Sequence, residues 1–356
     1  MTPDAREPRP GVVRYAVLPE SAGTRLDQAL AAASGLSRHA ARALIQGGAM
    51  WVNARPVRVQ SRLVHVGDVL DVLAEGKTLS PPGALPPPLP ILHEDGWLVA
   101  VDKPAGVATQ PPQHRAPGEL TAHERALIQL AAREGQRVEL LLFHRLDRLT
   151  TGVLVFARQH EAARELTKTW SSGGAQKRYL AVVRGDLGEG TRTLDGAIAP
   201  DPLAPGRYRV SRRGRAARTE VRRLARLDEL SLLEVKPLSG RTHQVRVHLA
   251  QAGCPVAGDA LYGGGGGVPR PFLHAWRLSL PHPRTGKQLR LEAPIPADMR
   301  AFLADLGLDS QTLTAGTLWA QIRVPQLVRR ESRSCLSGGS IHSPKRFRVG
   351  EPEGRR

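Results

Sequence analysis

Residues 74–90, AEGKTLSPPGALPPPLP, limit what this chain can fold into more than any other stretch. Proline has no amide hydrogen to give to a helix or a sheet ladder, and the apolar residues between the prolines follow no period. Such a segment acts as a semi-extended spacer and marks a boundary. The 356 residues must therefore bury apolar surface separately on either side of it. We expect a linker at 76–90, a small unit at 15–75 and a larger one at 91–307. Residues 1–14 are polar and proline-containing, and residues 308–356 are basic with little periodicity, so both are expected to be disordered.

The small unit starts with two helical patterns. TRLDQALAAASG repeats Leu26, Ala29, Leu30 and Ala33 at helical spacing, with Thr24 as N-cap and Gly35 as the stop. In LSRHAARALIQGG, Ser37 caps, Ala41, Leu44 and Ile45 face inward, and Arg38 and Arg42 share the outer face. MWVNARPVRV and VGDVLDVL then alternate as short strands, turning at Asn53 and Gly67-Asp68. Helices with a basic outer face followed by a hairpin resemble the RNA-binding module named after ribosomal protein S-four. The residues that carry the likeness are Arg25-Leu26-Asp27, Ser37-Arg38, Leu44-Ile45, Gly48, Val52-Asn53 and Gly67-Asp68. It implies RNA contacts from Arg25, Arg38 and Arg42; a plain helical capping domain is the rival.

In the larger unit, Leu98–Val101 is a buried-strand run broken by DKPAGV, and a helix is expected over about Ala122–Arg133. HRLDRLTTG, residues 144–152, leads into GVLVFAR, a fully apolar strand. A helix over His160–Trp170, the strand KRYLAVVRG and a strand at Leu232–Val235 follow. Next come a turn at Leu238–Gly240 and a helix that Thr242 caps and that ends near Gly253. Gly263–Gly267 is expected to be a flexible loop without a phosphate-loop pattern. FLHAWRLSLPHP and QLRLEAPIP supply the last strands, and ADMRAFLADLG a closing helix.

Charge narrows the partners. Fifty-one Lys and Arg against 33 Asp and Glu give a formal net charge of +18, mostly from arginine, whose planar guanidinium contacts phosphate in pairs. That field favours nucleic acid. The arginine-dense residues 201–226 are either a solvated face or a phosphate-contacting ribbon. With 5 Trp, 4 Tyr and 5 Phe, a broad aromatic platform for stacked bases is not expected. No apolar run is long enough for a spanning helix, no signal peptide opens the sequence, and two cysteines make no disulfide framework. A cytoplasmic, monomeric protein off the membrane is the expectation.

Several chemistries lack their residues. His243 and His248 are five apart, without the spacing of four that would share a helical face, and no Cys or carboxylate nearby completes a metal set. G-x-S-x-G, the P-loop and G-x-G-x-x-G are absent. A two-carboxylate hydrolase needs a second buried acid, for which Asp102, Glu234 and Asp259 are the candidates. What remains is Asp147, set among His144, Arg145 and Arg148, whose positive character favours an ionised carboxylate. Arg241 or Arg246 could partner it from far along the chain. Arg246 reads equally as a helix-surface cation, Tyr179 more readily as a packed strand residue, and Asp147 itself as either a catalyst or part of a surface salt bridge.

HRLDRLTTG, KRYLAVVRG, DKPAGV and KPLSGRTHQVRVHLA, with GDALYG and FLHAWRLSLPHP after them, together resemble the RluA-type pseudouridine synthases over about Ile91–Leu303. The likeness implies an α+β catalytic domain with a central mixed, largely antiparallel sheet flanked by helices and loops, beside the small N-terminal RNA-binding domain. It implies an isomerase that converts uridine to pseudouridine, most often in large-subunit (23S) ribosomal RNA, with no cofactor or metal. Asp147 would begin the reaction by attacking the ribose, attacking the base or removing a ribose proton. Arg246 would be its basic partner and Tyr179 would pack on the flipped base. Arg145 would fill the space the base leaves, with His144 and Arg241 also at the substrate. Thr151 stands where many relatives carry serine, which keeps the hydroxyl. A tRNA target, or a non-catalytic ribosome-assembly role, are the alternatives.

Overall fold

The computed structural model describes residues 11–73, 79, 86–112, 115–116, 119–265 and 267–308. Most of the proline-rich stretch, and the tail expected to be disordered, lie outside them. Strand β1 (Val12–Ala16) opens the N-terminal part, before helices α1 (Leu26–Ser34) and α2 (Arg38–Gln46) and strands β2 (Met50–Val52), β3 (Arg55–Pro56) and β4 (Val69–Leu73). The sheet order is β1-β4-β2-β3. Val12 and Val13, inside the stretch expected to be disordered, belong to a strand, because VVRYA pairs antiparallel with β4 and buries Tyr15. Thr24 is not the helix cap: its hydroxyl donates to Ser21 O, and Arg25 is the N-cap of α1. Ser37 caps α2 by accepting from the Ala40 amide, and Gly35 ends α1 at φ 70°. Asn53 joins this part to the next, its side-chain oxygen accepting from the Arg137 amide at 3.0 Å.

The larger part follows in the order β5 (Ile91–Glu94), β6 (Leu98–Lys103), α3 (Ala122–Glu134), β7 (Thr151–Ala157), α4 (His160–Ser171), β8 (Gln176–Arg184), β9 (Thr191–Asp195), β10 (Ile198–Pro200), β11 (Tyr208–Val210), β12 (Arg218–Leu227), β13 (Leu230–Pro237), α5 (Gln244–Gln251), β14 (Leu273–Pro281), β15 (Gln288–Glu292) and α6 (Ala297–Asp305). Its nine-stranded sheet runs β5-β6-β7-β14-β8-β13-β12-β9, with β15 also on β14. The β7–β14 pair is parallel and the other pairs are antiparallel, so this is an α+β fold on a mixed sheet. Every residue of β7 is buried, as a strand covered on both faces requires. The β7–β14 register, Thr151 against His274 and Ala275 against Gly152, explains a motif glycine. Gly152 has φ 112°, and a Cβ there would lie 2.2 Å from the Ala275 carbonyl oxygen. Only glycine admits that approach.

One loop expectation changes. Gly264 is built into a turn, its carbonyl accepting from the Gly258 amide, and a Cβ there would strike Val256 O; Gly266 lies outside the described residues. Residues 201–226 are partly regular: β11 pairs with the preceding β10 in a two-stranded sheet and β12 joins the large one, while Arg207, Arg209, Arg212, Arg213 and Arg215 are exposed. No helix among the described residues is long and apolar enough to cross a membrane.

Candidate active site

The loop His144–Thr150 reaches β7 already fixed at several points. Thr109 Oγ1 donates to Leu146 O at 2.8 Å and accepts from the Leu146 amide at 3.1 Å. Lys103, fully buried, donates to the carbonyls of Pro104, Val107 and Arg148 at 2.9, 2.8 and 3.1 Å. Burial lowers its pKa to about 7, against the pull of Asp147. One ammonium thus ties DKPAGV to DRLTTG. Within the loop, the Thr150 amide donates to Asp147 O at 3.1 Å. Thr151 keeps its hydroxyl in use, hydrogen-bonded to His274 Nδ1 at 2.9 Å.

Asp147 lies at a cavity of about 300 Å³. Arg246, on α5, donates from Nη1 to Asp147 Oδ2 at 3.1 Å. Behind it, Asp259 is fully buried and grips the same guanidinium twice, at 2.7 Å from Nε and 2.9 Å from Nη2. Burial opposes the charge of Arg246, but Asp259 and then Asp147 outweigh it and raise its pKa. The cation has an anchor and a second face, and Asp147 occupies that face. Burial and then Asp147 push the Tyr179 hydroxyl up, so it stays protonated.

All six residues expected at the catalytic and substrate positions, Asp147, Tyr179, Arg246, Arg145, His144 and Arg241, line this one cavity. Their sequence separations are large, 99 residues between Asp147 and Arg246. Arg241 is oriented by donating from Nε to Ala216 O at 3.1 Å. The turn before α5 is stapled by Gln244, whose Oε1 accepts from Ser239 Oγ and the Arg241 amide, while its Nε2 donates to Arg218 O and Thr219 Oγ1.

Other expectations need correction. Thr242 does not cap α5; His243 is the N-cap, at φ 55°. His144 carries no positive character toward Asp147. Its Nε2 accepts from the Val155 amide at 2.9 Å, and its ring stacks on Trp170 with centroids 4.3 Å apart. Burial, with Lys177 nearby, lowers its pKa to about 3, so the imidazole is neutral and makes part of an aromatic wall. Arg148 is engaged elsewhere, with Gly106 O and Glu119. The arginines of the N-terminal part, Arg25, Arg38 and Arg42, keep their expected outer face but converge on one acid. All three pair with the buried Asp27, at 3.1, 3.4 and 2.7 Å, each keeping part of its guanidinium in water. His248 is occupied between Thr219 Oγ1 and Gly196 O.

Asp259, His243, Tyr262 and Lys103 were missed as site residues. Asp259 did stand among the acid candidates, and a charged residue within the apolar GDALYG was the available signal, since a buried charge requires a partner. Asp259 qualifies by gripping Arg246 from behind the cavity, whereas Glu234 pairs with Arg178 and Asp102 lies on β6.

Two family models match the chain: RNA pseudouridylate synthase over residues 97–251 and the S4 domain over residues 24–70. Ribosomal large subunit pseudouridine synthase D of Nitrosomonas europaea is 37% identical over 300 residues, covering 79% of this chain and 84% of the relative. Ribosomal large subunit pseudouridine synthase C of Escherichia coli is 31% identical over 317 residues, covering 83% and 97%. Among solved structures, Human RNA Pseudouridylate Synthase Domain Containing 4 aligns with a TM-score of 0.52 and 25% identity, covering 62% of this chain and 94% of that one.

Proposed function

The chain belongs to the RNA pseudouridylate synthase family, isomerases that turn uridine in RNA into pseudouridine, and we propose that Asp147 carries this reaction on a uridine of large-subunit ribosomal RNA. The observation that supports the catalytic assignment is the layered ion pair. A buried acid holds a buried arginine, and the arginine's remaining N–H holds an acid that opens on a cavity. Such an arrangement fixes a reactive carboxylate in place before substrate arrives, which is what positional catalysis requires.

The cavity is at the small end of ligand sites. It suits one nucleotide drawn out of its stack, a displacement that costs about a few kcal/mol. Tyr179 packs against the extruded base. Its raised pKa keeps it protonated, a hydrogen-bond donor beside that base. Arg145, exposed at the rim, takes the place the base leaves and meets phosphate, as a guanidinium plane can. His144 and Arg241 shape the walls around the nucleotide. Isomerisation moves a bond within one nucleotide, so no cofactor enters the scheme.

The N-terminal part, residues 15–75, is proposed as the RNA-binding domain, joined by the linker at 76–90 to the catalytic domain at 91–307. Arg25, Arg38 and Arg42 would contact phosphate there. The ribosomal target is supported by the names of the relatives, and a cytoplasmic location is proposed with it. The test is pseudouridine mapping of total RNA from cells with and without the protein. A large-subunit ribosomal position that loses its pseudouridine is expected. A change confined to tRNA, or none, would overturn the target or the activity.

A further inference from the structure

One cavity histidine has no part in that scheme. His243 takes a left-handed backbone, φ 55°, directly before α5, and its side chain caps nothing. Such a residue is strained by about 1 kcal/mol or more and persists only where its surroundings determine it. Three contacts do so here. Nδ1 lies 2.9 Å from the Tyr262 hydroxyl. The ring stands edge-on to Tyr208 and Tyr262, with centroids 5.5 and 5.7 Å away. Nε2 faces Asp147, 3.8 Å from Oδ2, the oxygen that Arg246 also holds.

The protons can be placed from these contacts. The Tyr208 amide donates to the Tyr262 oxygen at 2.9 Å. The hydroxyl proton of Tyr262 then has His243 Nδ1 as its acceptor, which leaves the imidazole proton on Nε2, facing Asp147. The opposite tautomer would set an imidazole lone pair against a carboxylate oxygen and take the acceptor away from Tyr262. The charged groups around the ring are Asp147, Arg246, Asp259 and Arg145. Burial lowers the His243 pKa despite the pull of Asp147, so the ring is neutral.

We propose that His243 is a positioning residue: it donates Nε2–H to Asp147 Oδ2, so that with Arg246 it occupies this oxygen and leaves Oδ1 to meet the nucleotide. At 3.8 Å the bond is open. Catalytic hydrogen bonds of this kind close when substrate fills the site. His243 makes and breaks no covalent bond and keeps its proton throughout. The inference rests on Asp147 being the reacting group.

The test is single-turnover release of tritium from uridine C5, using RNA labelled there in cells that lack the protein. Asn suits the left-handed backbone but its amide reaches only Tyr262, so His243→Asn should slow the step about tenfold to a hundredfold, the worth of one hydrogen bond to a charged group. RNA affinity should not change. His243→Gln, whose amide can reach Asp147, should recover most of the rate. Tyr262→Phe should slow the wild-type background but not the His243→Gln background, because a glutamine amide needs no tautomer fixed for it. This pair of backgrounds carries the test if His243→Asn fails to fold. A wild-type rate in His243→Asn, or an equal Tyr262→Phe cost in both backgrounds, would overturn the proposal. So would a pH limb present in the wild type and absent in His243→Gln, which would make His243 a proton carrier. Full activity of Asp147→Asn would instead overturn the catalytic reading itself.

Discussion

Two of the arginine–aspartate clusters in this protein, around Asp27 and around Arg246, are turned inside out relative to each other. Around Asp27 the acid is buried, and the arginines are outside, with side-chain exposures of 38, 49 and 43% for Arg25, Arg38 and Arg42. Around Arg246 the cation is inside, 10% exposed, backed by a fully buried Asp259, and the group that reaches solvent is Asp147, at 22%. The same two residue types therefore present opposite chemistry. On the proposed function, the first cluster would offer ordered guanidinium groups to an anionic chain and the second one fixed carboxylate to a single nucleotide. What differs is which charge the core has desolvated, because the buried member sets the orientation and the outer member does the work.

Removing the buried acid should separate the clusters most sharply. Asp259→Asn leaves Arg246 buried with Asp147 as its remaining carboxylate, and breaking a buried pair costs about 3–5 kcal/mol. Asp27→Asn frees three half-exposed arginines to water, at about 1 kcal/mol or less for each. Urea midpoints of the two variants measure the difference. Equal midpoints would show that the inversion has no energetic content.

Acid should also distinguish the two regions. His144 and His274 have pKa values lowered to about 3 and about 4 from 6.5 by burial. Their folded forms bind fewer protons, so their stabilising contribution is complete above pH 6.5 and falls as pH drops toward 4. Asp102, raised to about 6 by burial, runs the other way below pH 6 and offsets part of this. For Asp27, burial raises the pKa, but hydrogen bonds from Arg42 and Arg25 prevail and hold it at about 2. Its contribution is kept above 3.8 and lost as pH falls through 2. Hydrogen exchange at pH 5 against pH 7 should show faster opening of β7 and β14 than of α1 and α2. Uniform loosening would contradict the assignment.

The smallest effect belongs to one surface arginine. Arg38 is the most exposed of the three and its bond to Asp27 the longest. Arg38→Gln should weaken RNA binding a few-fold and lower the salt slope by about one contact, close to 0.9 in log Kd per log salt, with turnover at saturating RNA unchanged. A changed rate constant with an unchanged salt slope would remove the arginine from the RNA surface.

Much of the fold was legible in the linear pattern, since apolar runs locate β6 and β7 and helical patterns locate α1, α2, α3 and α4. β1 was hidden because VVRYA follows a proline-rich start and is too short to alternate persuasively without its partner β4. In the site, Asp147 stood out by its basic neighbours, yet those neighbours are not what holds it. His144 is neutral and Arg148 is engaged with Gly106 and Glu119, while the partner that matters lies 99 residues away. The roles of Asp259, His243 and Lys103 depend on which backbone and side-chain groups the fold brings to them, and spacing does not encode that. The resemblance to a family supplied Arg246 and Tyr179; the residues alone left both open.

The most direct measurement is single-turnover pseudouridine formation by Asp147→Asn beside its RNA binding. Asn preserves shape and a hydrogen bond to Arg246 but has no anionic oxygen to react. Turnover should vanish while the dissociation constant stays within about twofold of wild type, since the phosphate contacts that dominate affinity lie elsewhere. Turnover at the wild-type rate would contradict the assignment of Asp147. Loss of RNA binding together with activity would make Arg246–Asp147 a structural pair rather than a catalytic one.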